Sequence, residues 1–129
     1  VDLERLGGLA RPMPTTTLLF LVGALALCAA PGLNGFPGEL TIYAGLLGAR
    51  APTPLAQGAL VAVAALLAFV GAVSALSMTR CVGVAFLGTP RDPQAAATGE
   101  APAPTRLGMA AHAAGCVALG LAPALGLAW

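Results

Sequence analysis

Lysine is absent from this chain of 129 residues, and charge of either sign is scarce. Charged side chains make up 9% of it, against about 25% in an ordinary soluble domain, while 58% of the residues are hydrophobic. A soluble fold needs a charged surface around its core, so the expected solvent is lipid. Six arginines and five acids leave a formal charge of +1, too little for the basic surface that nucleic acid requires. Nucleic acid is therefore excluded as a partner.

Metal and redox patterns are also lacking. Cys28, Cys81 and Cys116 are odd in number, lie inside apolar runs and have no CxxC spacing, so they read as small packing residues. No glycine loop for phosphate, no serine beside a histidine in a known motif and no second carboxylate within an apolar run is present. No metal, cofactor or catalytic residue is expected, and redox chemistry would lie elsewhere. The opening is not expected to be a signal peptide, since Asp2, Glu4 and Arg5 precede any apolar stretch. The chain starts on Val1 and stops on Trp129 within an apolar segment, which reads as a piece of a longer protein.

What is present is long apolar blocks. They occupy about 16–49, 56–87 and 107–129, separated by a short proline-containing turn and a polar, proline-rich loop over 88–106. A spanning helix needs about 20 residues at a rise of about 1.5 Å each, so an all-α membrane domain of three transmembrane segments over 1–129 is expected. The first block is longer than one span needs. Its centre, Pro31-Gly32-Leu33-Asn34-Gly35-Phe36-Pro37-Gly38, holds residues that remove amide donors or favour irregular dihedrals. Pro31, Gly32, Asn34, Gly35 and Pro37 thus predict a helix break. Two half-helices near 16–30 and 38–48, or a re-entrant hairpin, satisfy both length and breakers. Irregular backbone at membrane depth is tolerated only inside protein or beside a wet cavity, and transporters build ion sites from such breaks.

Arg5, Arg11, Arg91 and Arg106 fall on one side of this topology and Arg50 on the other, which puts the amino end and the 88–106 loop in the cytoplasm. Alanine and glycine crowd the spans, as in 58–65 and 71–75, and let backbones approach closely.

Within the apolar blocks the ionisable candidates are Glu39, Arg80 and His112, each costly in lipid unless paired or hydrated. Glu39 follows the break by one residue, so it is expected in the first turn of the second half-helix. There, unpaired amides and the dipole favour the carboxylate while burial favours the neutral acid, a balance suited to a proton relay. The structural alternative is a plain helix cap. Arg80, about 10 Å from the end of the second block, either snorkels to headgroups or tunes a neighbouring group. His112 has no acid or histidine at helical spacing and reads as interfacial.

The opening Asp2-Leu3-Glu4-Arg5-Leu6-Gly7-Gly8-Leu9, followed by Met13-Pro14, resembles the cytoplasmic link into a late helix of the proton-conducting antiporter family. That family is shared by complex I, Mrp antiporters and the membrane arms of energy-converting hydrogenases. Pro31 to Phe36 is similar to the unwound centre of the same helix, where P-P-L-x-G-F precedes an ionisable residue, here Glu39. Gly83-Val84-Ala85-Phe86-Leu87-Gly88-Thr89-Pro90-Arg91 resembles the hydrogenase-4 component B and formate hydrogenlyase branch. Met78-Thr79-Arg80 departs from that branch's F-V-K but keeps its positive charge, and an arginine does not readily release a proton.

The resemblance implies a proton-translocating subunit with Glu39 as a terminal relay group. It also implies partner subunits of a redox complex of NADH dehydrogenase, hydrogenase or formate hydrogenlyase type in the inner membrane of a bacterium or archaeon. Sodium is compatible with the same site. Family members carry many more helices, so this chain alone could not pump. A small three-span scaffold subunit that anchors a soluble oxidoreductase is the alternative reading, and an unrelated channel or carrier is a third.

Overall fold

The computed structural model describes residues 3–93 and 97–123, and the regular elements among them are helices. A 3-10 turn at Leu3–Arg5 precedes four α-helices: α1 at Pro14–Leu27, α2 at Gly35–Gly48, α3 at Pro54–Phe86 and α4 at Ala103–Leu121. The expected block over 16–49 is two helices of 14 residues each. Both begin earlier than the breakers suggested. Pro14, Pro54 and Pro104 sit in the first turns of their helices, where a missing amide proton has no acceptor to lose. The same reasoning moves the end of the 88–106 loop, since Ala103 already begins α4. Positions 124–129 of the expected third span lie outside the described residues.

α1 ends in a left-handed cap. Ala29 has φ of 51°, its amide donates to the Ala26 carbonyl at 3.2 Å, and the Ala30 amide reaches back to Leu25 at 3.0 Å. This pairing is the Schellman arrangement, with alanine where glycine is usual. Pro31 then forbids resumption of the same helix, and Gly32, at φ of 88°, turns the chain. α2 starts on Gly35, whose backbone lies so close to the Ala26 carbonyl that a side chain there would overlap it. At the far end of α2, Gln57 accepts from the Ala51 amide at 3.0 Å and donates to the Ala49 carbonyl at 3.4 Å, while Thr53 caps α3 by accepting from the Ala56 amide at 3.2 Å.

α3 has 33 residues and so is about 50 Å long, more than a hydrocarbon layer of about 30 Å requires. Among the described residues it is the one helix both long and apolar enough to cross a membrane. Its mean hydropathy reaches 2.6, yet 6% of that stretch is buried within the chain, so its apolar side chains face outwards. The described interior is correspondingly small: Ala24, Ala26, Ala64, Ala85, Ala113 and Phe86 are buried, and no polar side chain joins them. Five alanines in that set mean helices held by close backbone approach, the packing used where lipid removes the hydrophobic drive between helices.

The amino-terminal segment closes the carboxy end of α3. The amides of Gly8, Leu9 and Ala10 donate to the carbonyls of Leu87, Ala85 and Phe86 at 3.0, 3.4 and 2.9 Å, satisfying acceptors that a helix end leaves open. Arg91 donates from its guanidinium to the Leu6 carbonyl at 2.8 Å. Gly7 and Gly8 are buried beneath this loop; a Cβ would stand 2.7 Å from the Thr89 carbonyl at Gly7 and 2.7 Å from the Pro90 ring at Gly8, whose φ is 65°. The Phe20 and Phe86 rings, 5.0 Å apart, bring α1 against the same end. The Arg5 to Asp92 ion pair at 3.4 Å is exposed and contributes little.

Candidate functional site

Asn34 fastens the irregular stretch between α1 and α2. Its amide donates to the Cys116 carbonyl of α4 at 2.9 Å, and one turn further along α4 Gly120 lies against the backbone of Gly32 and Leu33. Any larger residue at 120 would displace the turn. α4 thus supplies an acceptor and a bare surface to backbone that has left its own helix. Pro31 and Gly32 lie in the irregular stretch and Asn34 precedes α2, whereas Gly35 and Pro37 belong to the first turn of α2. Pro37 does not delay the helix, because its nitrogen is among the first four, which have no intrahelical acceptor.

This earlier start moves Glu39. It stands in the second turn of α2, not the first, and the first turn carries no acid. The dipole's effect fades within that first turn, so the support expected from unpaired amides is largely withdrawn. A different set of neighbours surrounds the carboxylate. Tyr43, one turn on, donates its hydroxyl proton to Oε1 at 3.4 Å. Across the contact, α3 presents Gly71, where an added Cβ would stand 3.2 Å from the same oxygen. The carboxylate is half-buried between α2 and α3, with a phenol as donor and a glycine leaving it room.

Arg80 is exposed on α3, nine residues beyond Gly71, which is about 14 Å of helical rise. His112 lies on α4 one turn before Cys116. Its Nδ1 is 2.9 Å from the Gly108 carbonyl. A carbonyl only accepts, so Nδ1 carries the proton and Nε2 is left to exchange one. His112 faces a cleft of about 950 Å³ between α1 and α4, whose walls include Leu19, Phe20, Met109, Cys116 and, at the break, Asn34. None of the three cysteines forms a disulfide. No three or more His, Cys, Asp or Glu side chains converge to hold a metal among the described residues.

Glu100 was not legible from sequence. Met13 precedes α1 and offers no oxygen to cap it. Glu100 reaches in from the loop instead, accepting from the Thr15 amide at 2.5 Å, the Thr16 amide at 3.3 Å and the Thr16 hydroxyl at 2.7 Å. Partial burial pushes its carboxyl pKa up, but these hydrogen bonds outweigh that and hold it below the ordinary value. The available signal was the Met13-Pro14-Thr15-Thr16 start itself, a helix opening without a capping residue of its own.

Comparison with known proteins places these features in a family. A family model described as NADH:quinone oxidoreductase/Mrp antiporter, TM matches residues 1–67. Formate hydrogenlyase subunit 3 of Escherichia coli (strain K12) is 39% identical over 124 residues, 94% of this chain and 20% of its own. Hydrogenase-4 component B of the same organism is 33% identical over 121 residues, 93% of this chain and 18% of its own. The NAD(P)H-quinone oxidoreductase chain 4 1 of Synechococcus sp. (strain JA-3-3Ab) is 41% identical over 80 residues, 62% of this chain and 15% of its own. The chain spans about a fifth of the length of the first of these relatives.

Proposed function

The chain belongs to the NADH:quinone oxidoreductase/Mrp antiporter transmembrane family, and from that premise we propose that it is part of a proton-translocating membrane subunit in a redox complex. In this reading it crosses the inner membrane three times, at 16–49, 56–87 and 107–129, with the amino end and the 88–106 loop in the cytoplasm. α1 and α2 are the two halves of a discontinuous first span. Support for a broken span over a re-entrant hairpin comes from their packing: α1 lies mainly against α4 and α3, α2 lies mainly against α3, and each meets the other least. Two arms of a hairpin would pair with each other.

Glu39 is the proton relay. The observation that carries this is its setting, a half-buried carboxylate one turn beyond the irregular stretch, with the Tyr43 hydroxyl on one side and Gly71 on the other. A carboxylate fixed purely as a cap would sit in the first turn on the open amides, and this one does not. Protons pass between it and water near the break, and Arg80 and His112 tune that path. The partners are further membrane and peripheral subunits, which carry the electron transfer. In the complete subunit, Glu39→Gln keeps the volume and removes the exchangeable proton. Assembled complexes bearing it should transfer electrons with fewer protons moved for each electron, and an unchanged stoichiometry would remove Glu39 from the path.

A further inference from the structure

α1 and α4 run in the same direction, and the cleft between them follows both. At one end its walls are Pro104 and Thr105, beside the loop that Glu100 ties to the start of α1; at the other they are Asn34 and Gly35, at the break. From Thr105 to Cys116 is about 16 Å of helical rise, so the cleft joins the loop end of the bundle to the irregular backbone at its middle. The lining is mainly apolar, with polar atoms at intervals: the Thr105 hydroxyl, the His112 imidazole and the Asn34 amide. Water needs such partners to enter an otherwise apolar space.

We propose that this cleft is a second proton route, running from the loop side to the break, with His112 as its proton-carrying group. The inference rests on the relay reading of Glu39, and Gly35, at the head of the cleft, lies one helical turn before Glu39 on the same face of α2. The chemistry closes without any co-reactant. With Nδ1–H held on the Gly108 carbonyl, Nε2 takes a proton from water on the loop side, giving an imidazolium. The same nitrogen then returns the proton to water beside Asn34, and the neutral ring is restored in its original orientation. Among the described residues, Cys116 is the other titratable side chain on the cleft wall, and neither an acid nor an arginine lines it. A charge on the imidazole therefore meets no counter-ion among the described lining residues.

The test uses the complete subunit in its assembled complex. His112→Ala should lower the protons moved per electron, with electron transfer retained, and Glu39→Gln is measured beside it. If Glu39→Gln lowers the ratio and His112→Ala does not, the cleft route is wrong while the relay stands. If neither changes it, the relay reading fails as well. An independent measurement covers a variant that does not assemble. With Cys28 and Cys81 replaced by alanine, Cys116 should react with a small, charged, membrane-impermeant thiol reagent added from the loop side. Protection of Cys116 from that reagent would overturn the route.

Discussion

At the scale of single residues, the carboxylate at position 39 is governed by what stands opposite it. Gly71 leaves a gap of 3.2 Å between a would-be Cβ and Oε1, tight enough that a side chain there must push the acid or part the helices. Gly71→Leu is accordingly expected to reduce proton translocation as Glu39→Gln does, whereas Gly71→Ala should be milder; proton uptake by membrane vesicles separates the two. Ala29 carries strain of another kind. Its left-handed φ costs a non-glycine residue on the order of 1 kcal/mol, so Ala29→Gly should stabilise the end of α1 by about that amount. Thermal inactivation of the assembled complex would register the change, and a lower midpoint would mean that the alanine side chain is needed.

Glu100 gives a pH dependence whose sign follows from its depressed pKa. A carboxyl with a lower pKa folded than unfolded stabilises fully above the ordinary carboxylate range, and the contribution is lost as pH falls through the folded value. Protection of the Thr15 and Thr16 amides from hydrogen exchange should decline across that acid window. In Glu100→Gln the protection should be lower at neutral pH and insensitive to acid, and equal protection in the two proteins would exclude the carboxylate as the cap.

At the scale of elements, the irregular stretch between α1 and α2 was readable because prolines and glycines act locally. Pro31 and Gly32 mark it in any sequence, and the boundaries missed by a few residues, at Gly35 and Pro37, reflect how readily a helix accepts proline in its first turn. The contacts that hold the stretch were not readable. The Asn34 amide meets the Cys116 carbonyl 82 positions further along the chain, and a backbone bond of this kind leaves no periodicity to find. The same holds for the pairing of Gly7 and Gly8 with 88–91. Both motifs were visible, one near each end of the resemblance, but nothing in the sequence said that they touch. Their contact explains why two consecutive glycines are needed there. Gly8→Ala introduces a Cβ against Pro90 at a left-handed residue and should cost about 2 kcal/mol or more. A drop in the yield of assembled complex, with Gly88→Ala at φ of 81° behaving alike, would bear this out, and wild-type yield of both would not.

At the scale of the whole molecule, composition and structure point the same way. A chain with 58% hydrophobic residues buries six of its described side chains and leaves large ones such as Leu55, Leu66, Phe69 and Leu76 turned outwards. Such a surface fits lipid or further helices and not water, in keeping with relatives about five times as long that are named as subunits of formate hydrogenlyase, hydrogenase-4 and quinone oxidoreductases. Composition and block length supplied the expected solvent and helical class, and the motifs at 2–14, 31–39 and 83–91 supplied the family, which the relatives then showed. The relay and the topology rest on Glu39, the break and the arginine distribution. The most direct test is proton uptake by inverted membrane vesicles during steady electron transfer, compared among the wild-type complex, Glu39→Asp and Glu39→Gln. A graded ratio of protons to electrons, highest in wild type, intermediate in Glu39→Asp and lowest in Glu39→Gln, is the predicted result; equal ratios in all three would contradict the relay.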